Sequence, residues 1–383
     1  MRKQGGLSTP PCSKLGAQAV FAPATDHQCR ASRLMRAGRS WLSPTVQGRP
    51  GTLMRSSLAN SPEGSPGRVF LVGCPRSGTT FLQDLLARHP QVMSLPETAF
   101  FDDTVGGFSG WVRSGETPKL RGRFGYAGRA ARRNAPRKLH EIAEATGLTA
   151  PRLCWRWRYA AYVRQFTELL DAAALSRGRS LWLEKTPNHL AYLPYIEALV
   201  PGARCIHLVR RGEDVIASLV DAGLRYEQAM DAFDHCLAWW AGQWNRSVEV
   251  HRRYAGAPRH LVLFYEDLIA DLSGQFRRIC EFLGIAVLQP GGETPEIGVA
   301  RLSREPWKQT AVSGRLVVPE DKRDSALSAH TRRWLRANLY SYQQLREQVA
   351  AAQAPRASGG LVPGAEEAEL DGGALPESRL RPT

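Results

Sequence analysis

The sequence predicts an α/β protein with a P-loop-like, three-layer fold: helices cover both faces of a central parallel sheet, and one helical segment is inserted. Three observations predict this fold. Short apolar runs alternate along the chain with segments of helical periodicity, which is the pattern of parallel strands joined by helices. A glycine-rich turn, residues 73–78, separates the first apolar run from its helix. A long arginine-rich segment, residues 104–180, interrupts the alternation.

Four continuous apolar runs are the predicted strands. The first is residues 69–72, and apolar residues at helical spacing follow it from Phe81 to Leu86. Runs without polar alternation are typical of strands that are buried on both faces. The other three runs, which also precede helical segments, are residues 181–183, 205–209 and 261–264. The last helix, around residues 271–283, is expected to end at Gly284, because glycine readily adopts the left-handed conformation at a helix C-terminus.

The formal charge of +15 is concentrated in two segments. Residues 1–66 carry nine Lys and Arg against two acids, and residues 104–180 carry fifteen against five. The first segment is rich in Pro, Gly and Ser and has no periodicity, so we expect a disordered basic segment. Residues 351–383 are expected to form a second disordered tail. The sequence therefore predicts one domain, residues 67–350, in which residues 104–180 form a helical lid or substrate-binding insertion.

The composition limits the ligands and the location that we expect. The chain has no helix-turn-helix, zinc-finger or aromatic RNA-binding motif, so nucleic acid is not an expected partner. Polyanionic cofactors, acidic substrates or peripheral contact with an anionic membrane suit a localised basic surface. The seven cysteines are scattered without metal-ligand spacing, and nowhere do eighteen apolar residues run together. These features predict a cytoplasmic protein with reduced thiols, and they indicate no oligomeric state.

The turn after the first predicted strand has the composition of a phosphate-binding loop. Its backbone N–H groups can point at an anion, and the N-terminus of the following helix adds a favourable field. The spacing matches the ATP-binding loop except at Thr79, where that motif requires lysine. Arg76 can supply the missing cation from within the loop. The residues expected to bind the anion are Pro75, Arg76, Ser77, Gly78, Thr79 and Thr80.

Two further motifs suggest a second anion site and a reactive centre. Arg210 follows the predicted strand 205–209, at the edge where open α/β sheets bind ligands, and Ser218 lies in the next helix. Between the two anion motifs, the segment 183–189 reads Leu-Glu-Lys-Thr-Pro-Asn-His. A lysine at such a position can stabilise a leaving phosphate as it gains charge.

The run PRSGTTFLQDLLARHPQV resembles the 5′-phosphosulfate loop of the sulfotransferase superfamily, particularly its protein-tyrosine, glycan and bacterial branches. The resemblance continues through Leu-Pro-Glu-Thr at residues 95–98 and through the Arg210 segment, which is similar to the family's 3′-phosphate motif. It implies 3′-phosphoadenosine 5′-phosphosulfate (PAPS) as co-substrate, with Arg210 and Ser218 on the 3′-phosphate. It also implies that Lys185 touches the oxygen between phosphate and sulfate, and that Lys308 or Arg315 binds a nucleotide phosphate.

The resemblance leaves the base that accepts the acceptor's proton open. Hormone-type sulfotransferases use a histidine shortly after the lysine, but Pro187 stands in that place here. Glu97 matches the base of the hydroxyl-directed branches, and Glu184 matches the base of the amine-directed glycan branch. We expect Glu97, with Arg76 and Lys185 as the cations of the reaction and Glu184 as the alternative.

The sequence thus predicts in-line sulfuryl transfer from PAPS to a hydroxyl, or less readily an amine, without a metal ion. The acceptor could be a small molecule, a glycan, a lipid or a peptide, bound on the side of the insertion 104–180. One alternative is a P-loop kinase for a small molecule, which would need lysine in place of Thr79. The other is a non-catalytic nucleotide or nucleic-acid binder, which would need neither Glu97 nor Lys185.

Overall fold

The structure is a computed structural model that describes residues 64–119, 125–150, 157–232, 235–313 and 322–354. Its core is one sheet of parallel strands. The strands are β1 (Gly67–Gly73), β2 (Val92–Ser94), β3 (Leu181–Lys185), β4 (Arg204–Val209) and β5 (His260–Phe264). They lie side by side in the order β2-β3-β1-β4-β5, so β1 is central. The predicted α/β fold with a parallel sheet is confirmed.

Helices connect the strands. Those before β3 are α1 (Thr79–Ala87), α2 (Phe100–Val105), α3 (Phe108–Ser114), α4 (Arg129–Thr146) and α5 (Tyr159–Leu175). Between β3 and β5 follow a 3₁₀ helix (Pro187–Tyr192), α6 (Leu193–Leu199), α7 (Gly212–Arg225), α8 (Glu227–Ala232) and α9 (Leu237–Tyr254). After β5 come α10 (Tyr265–Ala270), α11 (Leu272–Leu283), a second 3₁₀ helix (Pro306–Val312), α12 (Arg323–Ala326), α13 (Ala329–Asn338) and α14 (Tyr342–Gln353).

Strand β1 shows why the sheet is covered on both faces. Successive side chains of a strand point to opposite faces, and in β1 both sets are fully buried. Phe70 and Val72 belong to one hydrophobic cluster, together with side chains of α2, α4 and α5. Val69 and Leu71 belong to another, together with side chains of α1 and α11. Burial on both faces explains why the strand reads as a continuous apolar run.

The structure extends the sequence prediction at several points. Strand β2 was not predicted, because its three residues carry no pattern of their own and depend on pairing with β3. The described parts of the segment 104–180 are largely helical, as expected. Helix α11 ends at Gly284, whose φ of 64° is the predicted left-handed cap. Helix α14 continues to Gln353, past the predicted boundary at 350.

The predicted disordered segments, 1–66 and 351–383, lie almost entirely outside the described residues. Within the described ranges, no helix has both the length and the apolar character that crossing a membrane requires.

Candidate active site

The candidate site lies where three neighbouring strands end. The loop 74–78 follows β1, Lys185 is the last residue of β3, and Arg210 directly follows β4. Because β3, β1 and β4 are adjacent and parallel, their carboxyl ends meet at one edge of the sheet. Ligands of open α/β folds bind at this edge.

The phosphate loop is held in a conformation that exposes N–H groups. Arg76 and Gly78 both have positive φ angles, of 69° and 91°. Gly78 also packs so closely on Tyr265 that a Cβ atom would lie 2.4 Å from the ring. The hydroxyl of Ser77 is buried and has no hydrogen-bond partner among the described residues. This hydroxyl lies beside the start of α1 at Thr79, where no side chain caps the helix. An unpaired donor at an uncapped helix N-terminus fits an anionic ligand.

Two arginines converge beside this loop. The Nε atom of Arg76 donates to Ser218 Oγ at 3.2 Å, and Arg210 Nη1 donates to the carbonyl oxygen of Arg76 at 3.3 Å. The guanidinium of Arg210 also lies over the Tyr265 ring, 4.8 Å from its centre. Burial, and then the charge of Arg210, lowers the pKa of Arg76 to about 10. Neighbouring guanidinium groups repel each other, so the arrangement favours an anion between them.

The backbone of Arg210 is fixed by a tryptophan. Trp244 Nε1 donates to the carbonyl oxygen of Arg210 at 3.0 Å. Trp244 lies on α9 and is 2% exposed. Trp244 therefore packs the core and also holds the second anion motif in place.

A carboxylate lies among the lysines on the other side of the loop. Glu97 Oε1 accepts hydrogen bonds from Lys185 Nζ and, at 2.7 Å, from Lys308 Nζ. Lys185 Nζ also donates to Thr80 Oγ1 at 3.2 Å, and Lys308 contacts Glu305. Burial alone would raise the pKa of Glu97, but the two ammonium groups outweigh it and hold the pKa at about 2. Burial lowers the pKa of Lys185, although Glu97 opposes that effect.

The second candidate base, Glu184, lies in a different environment. Its Oε1 atom accepts from the hydroxyls of Thr98 and Thr186, both at 2.7 Å, and from the backbone N–H of Thr98 at 3.3 Å. Its Oε2 atom lies 2.8 Å from Nδ1 of His189. The residue is 1% exposed. Burial would raise the pKa of Glu184, but His189 and the two hydroxyls keep it below the usual value. The carboxylate of Glu184 therefore accepts four hydrogen bonds, three at Oε1 and one at Oε2.

The structure thus brings most of the sequence-predicted residues together in two groups. The loop from Pro75 to Gly78 lies with Arg210 and Ser218 at one end. The other end contains Thr80, Lys185, Glu97 and Lys308. Lys308, which was expected on a nucleotide phosphate, contacts the candidate base there. Glu184 lies behind the second group, and Arg315 is outside the described residues.

Sequence reasoning missed the supporting roles of four residues: Thr98, Thr186, Trp244 and Glu305. One local signal was available for the start of α2 at Phe100, because aspartates in a first turn, here Asp102 and Asp103, are typical of a helix N-terminus. Thr98 and Trp244 act through contacts with distant parts of the chain. Thr186 and Glu305 contact near neighbours, Glu184 and Lys308, but their short motifs do not predict these contacts.

The donor set fits a polyanionic nucleotide. The site contains four cationic side chains, Arg76, Lys185, Arg210 and Lys308, together with the unsatisfied Ser77 hydroxyl. Hydrogen bonds from charged groups to phosphate and sulfate oxygens are stronger than hydrogen bonds between neutral groups. In the part of the chain that the structure describes, no group of three or more His, Cys, Asp or Glu side chains could hold a metal ion.

Comparison with known proteins gives a consistent result. The family model described as "Sulfotransferase family" matches residues 66–290. Protein-tyrosine sulfotransferase A of Caenorhabditis elegans is 24% identical over 221 residues, which cover 57% of this chain and 50% of that protein. The protein-tyrosine sulfotransferase of Drosophila melanogaster is also 24% identical, covering 57% of this chain and 38% of its own. The match therefore spans half the length of the first of these relatives and less than half of the second.

A solved structure, the sulfotransferase domain of the Synechococcus PCC 7002 olefin synthase, is 22% identical. It covers 74% of this chain and 98% of its own, with a TM-score of 0.39.

The comparisons also correct one expectation. The predicted cytoplasmic location is wrong, because the curated relatives are protein-tyrosine sulfotransferases, which points away from the cytoplasm.

Proposed function

The chain belongs to the sulfotransferase family, and we propose that it transfers the sulfuryl group of PAPS to a hydroxyl acceptor by in-line displacement, with Glu97 as the base. The observation that carries this proposal is the position of Glu97. Its carboxylate touches two lysines directly beside the phosphate loop, so a proton acceptor and the cations for a leaving phosphate lie within one hydrogen-bonded group.

The cationic groups divide the work on the nucleotide. Arg210 and Ser218 are proposed to bind its 3′-phosphate. Arg76, Lys185 and the N–H groups of the loop would stabilise the charge that develops on the leaving 5′-phosphate. When bound, PAPS supplies the sulfuryl group and this leaving group. The backbone that presents these donors is already fixed in the described loop, which is what preorganised stabilisation requires.

Glu97 is proposed to accept the proton that the acceptor hydroxyl loses as its oxygen bonds to sulfur. In the free chain, its low pKa of about 2 reflects the contacts with Lys185 and Lys308. When a lysine leaves Glu97 and binds an anionic oxygen of the nucleotide, the pKa of Glu97 rises towards the usual range. A base with a higher pKa accepts a proton more readily, so cofactor binding would activate Glu97.

Glu184 is the less suitable base. A general base needs a free lone pair within hydrogen-bond reach of the acceptor proton. The carboxylate of Glu184 is 1% exposed and already accepts four hydrogen bonds, from Thr98, Thr186 and His189. Glu97 keeps 27% of its side-chain surface exposed, and this supports the hydroxyl-directed assignment.

The names of the relatives suggest that a peptidyl tyrosine should be tested first as the acceptor. The insertion 104–180 adjoins the proposed base and would shape this acceptor site. Its helix α4 packs on α2, which begins shortly after Glu97. Asn134 donates to the carbonyl oxygen of Asp103 at 2.6 Å, and Lys138 pairs with Asp103 at 2.8 Å. An anionic acceptor or membrane surface is the ligand that the basic charge of this segment favours.

Two measurements test the proposal. Calorimetry should detect tight binding of 3′-phosphoadenosine 5′-phosphate (PAP) and much weaker binding of ATP. Mass spectrometry should detect a sulfuryl group on a tyrosine peptide incubated with PAPS. Glu97→Gln should retain PAP binding and lose transfer, whereas Glu293→Gln, an exposed acid outside the site, should retain both. Equal or better binding of ATP would support the kinase alternative and contradict the proposal.

A further inference from the structure

Four consecutive backbone N–H groups directly after Glu97 are bonded by side chains. The N–H of Thr98 donates to Glu184 Oε1, and the N–H of Ala99 donates to Thr186 Oγ1 at 3.0 Å. The N–H of Phe100 donates to Thr98 Oγ1 at 3.2 Å, and that of Phe101 lies 3.2 Å from His189 Nε2. These are the N–H groups at the start of α2, which no intrahelical bond satisfies.

Glu184 accepts the first of these bonds directly, and the three side chains that accept the others donate in turn to its carboxylate. The hydroxyls of Thr98 and Thr186 and the Nδ1 atom of His189 converge on Glu184. The direction of each bond follows from the others. Because His189 Nε2 accepts from a backbone N–H, its proton resides on Nδ1 and is donated to Glu184. An ionised Glu184 therefore satisfies every donor of the network.

An amide in this position would break the network. If the amide NH₂ of a glutamine faced His189, the ring would need its proton on Nε2 and would lose the bond from Phe101. If it faced the threonines, the N–H of Thr98 would lose its acceptor, and neither hydroxyl could donate to that atom. Either orientation leaves at least one backbone donor of the segment 98–101 unpaired.

The segment also contains local strain. Ala99 has a φ of 50°, in the left-handed region that residues other than glycine rarely adopt. Such a conformation persists when surrounding contacts hold it. Ala99 is the second residue after Glu97, so its conformation determines where the backbone of Glu97 lies. Glu184 itself is anchored in β3, next to Lys185, in the fully buried part of the sheet.

We infer that Glu184 is a positioning residue that fixes Glu97 against Lys185 through the network of Thr98, Thr186 and His189. This inference rests on the proposed role of Glu97 as the base. It assigns different tasks to the two carboxylates that the sequence offers as alternatives. Glu184 stays ionised and buried, and orients the segment that carries Glu97 without touching the acceptor.

The first test is independent of turnover. Hydrogen exchange of the backbone amides should be compared in wild type, Glu184→Gln and the exposed control Glu293→Gln. Loss of one hydrogen bond should make the amides of residues 98–101 exchange about tenfold faster in Glu184→Gln. The phosphate loop and β1 should keep their protection, and PAP affinity should stay within about twofold of wild type.

The second test uses a milder change, because Glu184→Gln could unfold the sheet. Thr186→Val removes the hydroxyl that links Ala99 to Glu184, whereas Thr186→Ser retains it. With PAPS and the tyrosine peptide, kcat should fall about ten- to a hundredfold in Thr186→Val, because a small displacement of a base is costly. Thr186→Ser should restore kcat, and PAP affinity should be unaffected in both variants.

The outcomes separate this inference from the proposed function. Unchanged exchange of residues 98–101 in Glu184→Gln, or normal kcat in Thr186→Val, would overturn the positioning role while PAP binding and transfer by wild type still stood. A wild-type protein that neither binds PAP nor sulfates the peptide would instead overturn the proposed function, whatever the exchange data.

Discussion

The buried ammonium group of Lys185 contacts the carboxylate of Glu97 and, on its other side, donates to Thr80 in the first turn after the phosphate loop. One lysine thus joins the candidate base to the anion-binding helix. A polyanion bound at the loop competes with Glu97 for this ammonium group. The protonation of Glu97 is therefore expected to depend on whether the nucleotide is bound.

Binding of PAP should be coupled to proton uptake by Glu97. The two lysines hold its pKa at about 2 in the free chain. If PAP draws them away, the pKa rises, and the complex binds more protons than the free protein between that value and the usual range. Calorimetry at about pH 4 in buffers of different ionisation enthalpy should detect more uptake in wild type than in Glu97→Gln.

The difference between the two proteins isolates Glu97 from the titration of PAP itself, and Glu293→Gln should behave as wild type. Equal uptake in wild type and Glu97→Gln would mean that Lys185 and Lys308 remain on Glu97 in the complex. In that case the activation of Glu97 by the cofactor would be wrong.

Ser77→Ala should separate stability from ligand binding. The Ser77 hydroxyl is buried without a partner among the described residues, so its removal should leave the free energy of unfolding unchanged or raise it by up to about 1 kcal/mol. PAP affinity should fall about fivefold if this hydroxyl donates to the 5′-phosphate. Denaturant unfolding and calorimetry measure the two quantities.

A matched control is available in Ser94. Its hydroxyl donates to the carbonyl oxygen of Leu183 at 3.0 Å and accepts from Gln83 at 2.9 Å. Ser94→Ala should therefore destabilise the protein by about 1–2 kcal/mol and leave PAP binding intact. If Ser77→Ala behaved like Ser94→Ala, the Ser77 hydroxyl would have a structural role and no ligand.

The second anion motif should depend on Arg210 and, to a lesser degree, on Trp244. Arg210→Ala should weaken PAP binding about ten- to a hundredfold, as expected for a lost charge-assisted contact. Trp244→Phe removes the donor to the Arg210 carbonyl and also part of a ring buried in the core, so about a fivefold loss of PAP affinity is expected together with a loss of stability. Calorimetry measures both affinities.

Arg211→Ala is the control for this pair of variants. The Arg211 guanidinium lies 5.9 Å from the centre of the Tyr342 ring, on α14, and 3.7 Å from Asp214, on α7. PAP affinity should change little in this variant. A larger effect at Arg211 than at Arg210 would show that the arginine of the second motif was misidentified.

The parts of the fold and of the site that are determined by residues close together in the sequence could be predicted from it. The apolar run of β1 and the glycine turn after it indicate a buried strand and a phosphate loop. Strand β2 could not be predicted, because three residues become a strand only by pairing with β3. The end of α11 was predictable because Gly284 alone provides the left-handed cap.

The roles of the carboxylates required tertiary structure. In the sequence, Glu97 is the expected base and Glu184 the alternative, and each lies in a short polar motif. Only the fold brings Thr98 to Glu184 across 86 residues of chain. Likewise, Lys308 lies 211 residues from Glu97 and was expected on a nucleotide phosphate, but in the structure its ammonium group contacts Glu97.

A chain of buried histidines behind β4 gives the protein a built-in sensitivity to acid. His207 Nδ1 lies 3.1 Å from His251 Nδ1, and His207 Nε2 lies 2.9 Å from His260 Nδ1. His260 Nε2 reaches Glu197 at 3.2 Å, and Tyr254 donates to the same carboxylate at 2.9 Å. The three rings therefore form one hydrogen-bonded chain that ends on the carboxylate of Glu197.

Burial lowers the pKa of His207 well below its usual value near 6.5, and it lowers that of His251 to about 3. Below pH 6.5 the unfolded chain therefore binds protons that the folded chain cannot. Stability is complete above that pH and is lost as the pH falls from 6.5 towards 3. Each of these histidines contributes a slope of up to about 1.4 kcal/mol per pH unit.

Urea unfolding between pH 7.5 and 5 should reveal this loss, and His251→Gln should reduce its slope by about half. Glutamine can still donate to His207 but does not titrate. His330→Gln changes an exposed histidine and should leave the slope as in wild type. If His251→Gln were as acid-sensitive as wild type, proton binding elsewhere, such as at the carboxylates around Lys185, would have to account for the loss of stability.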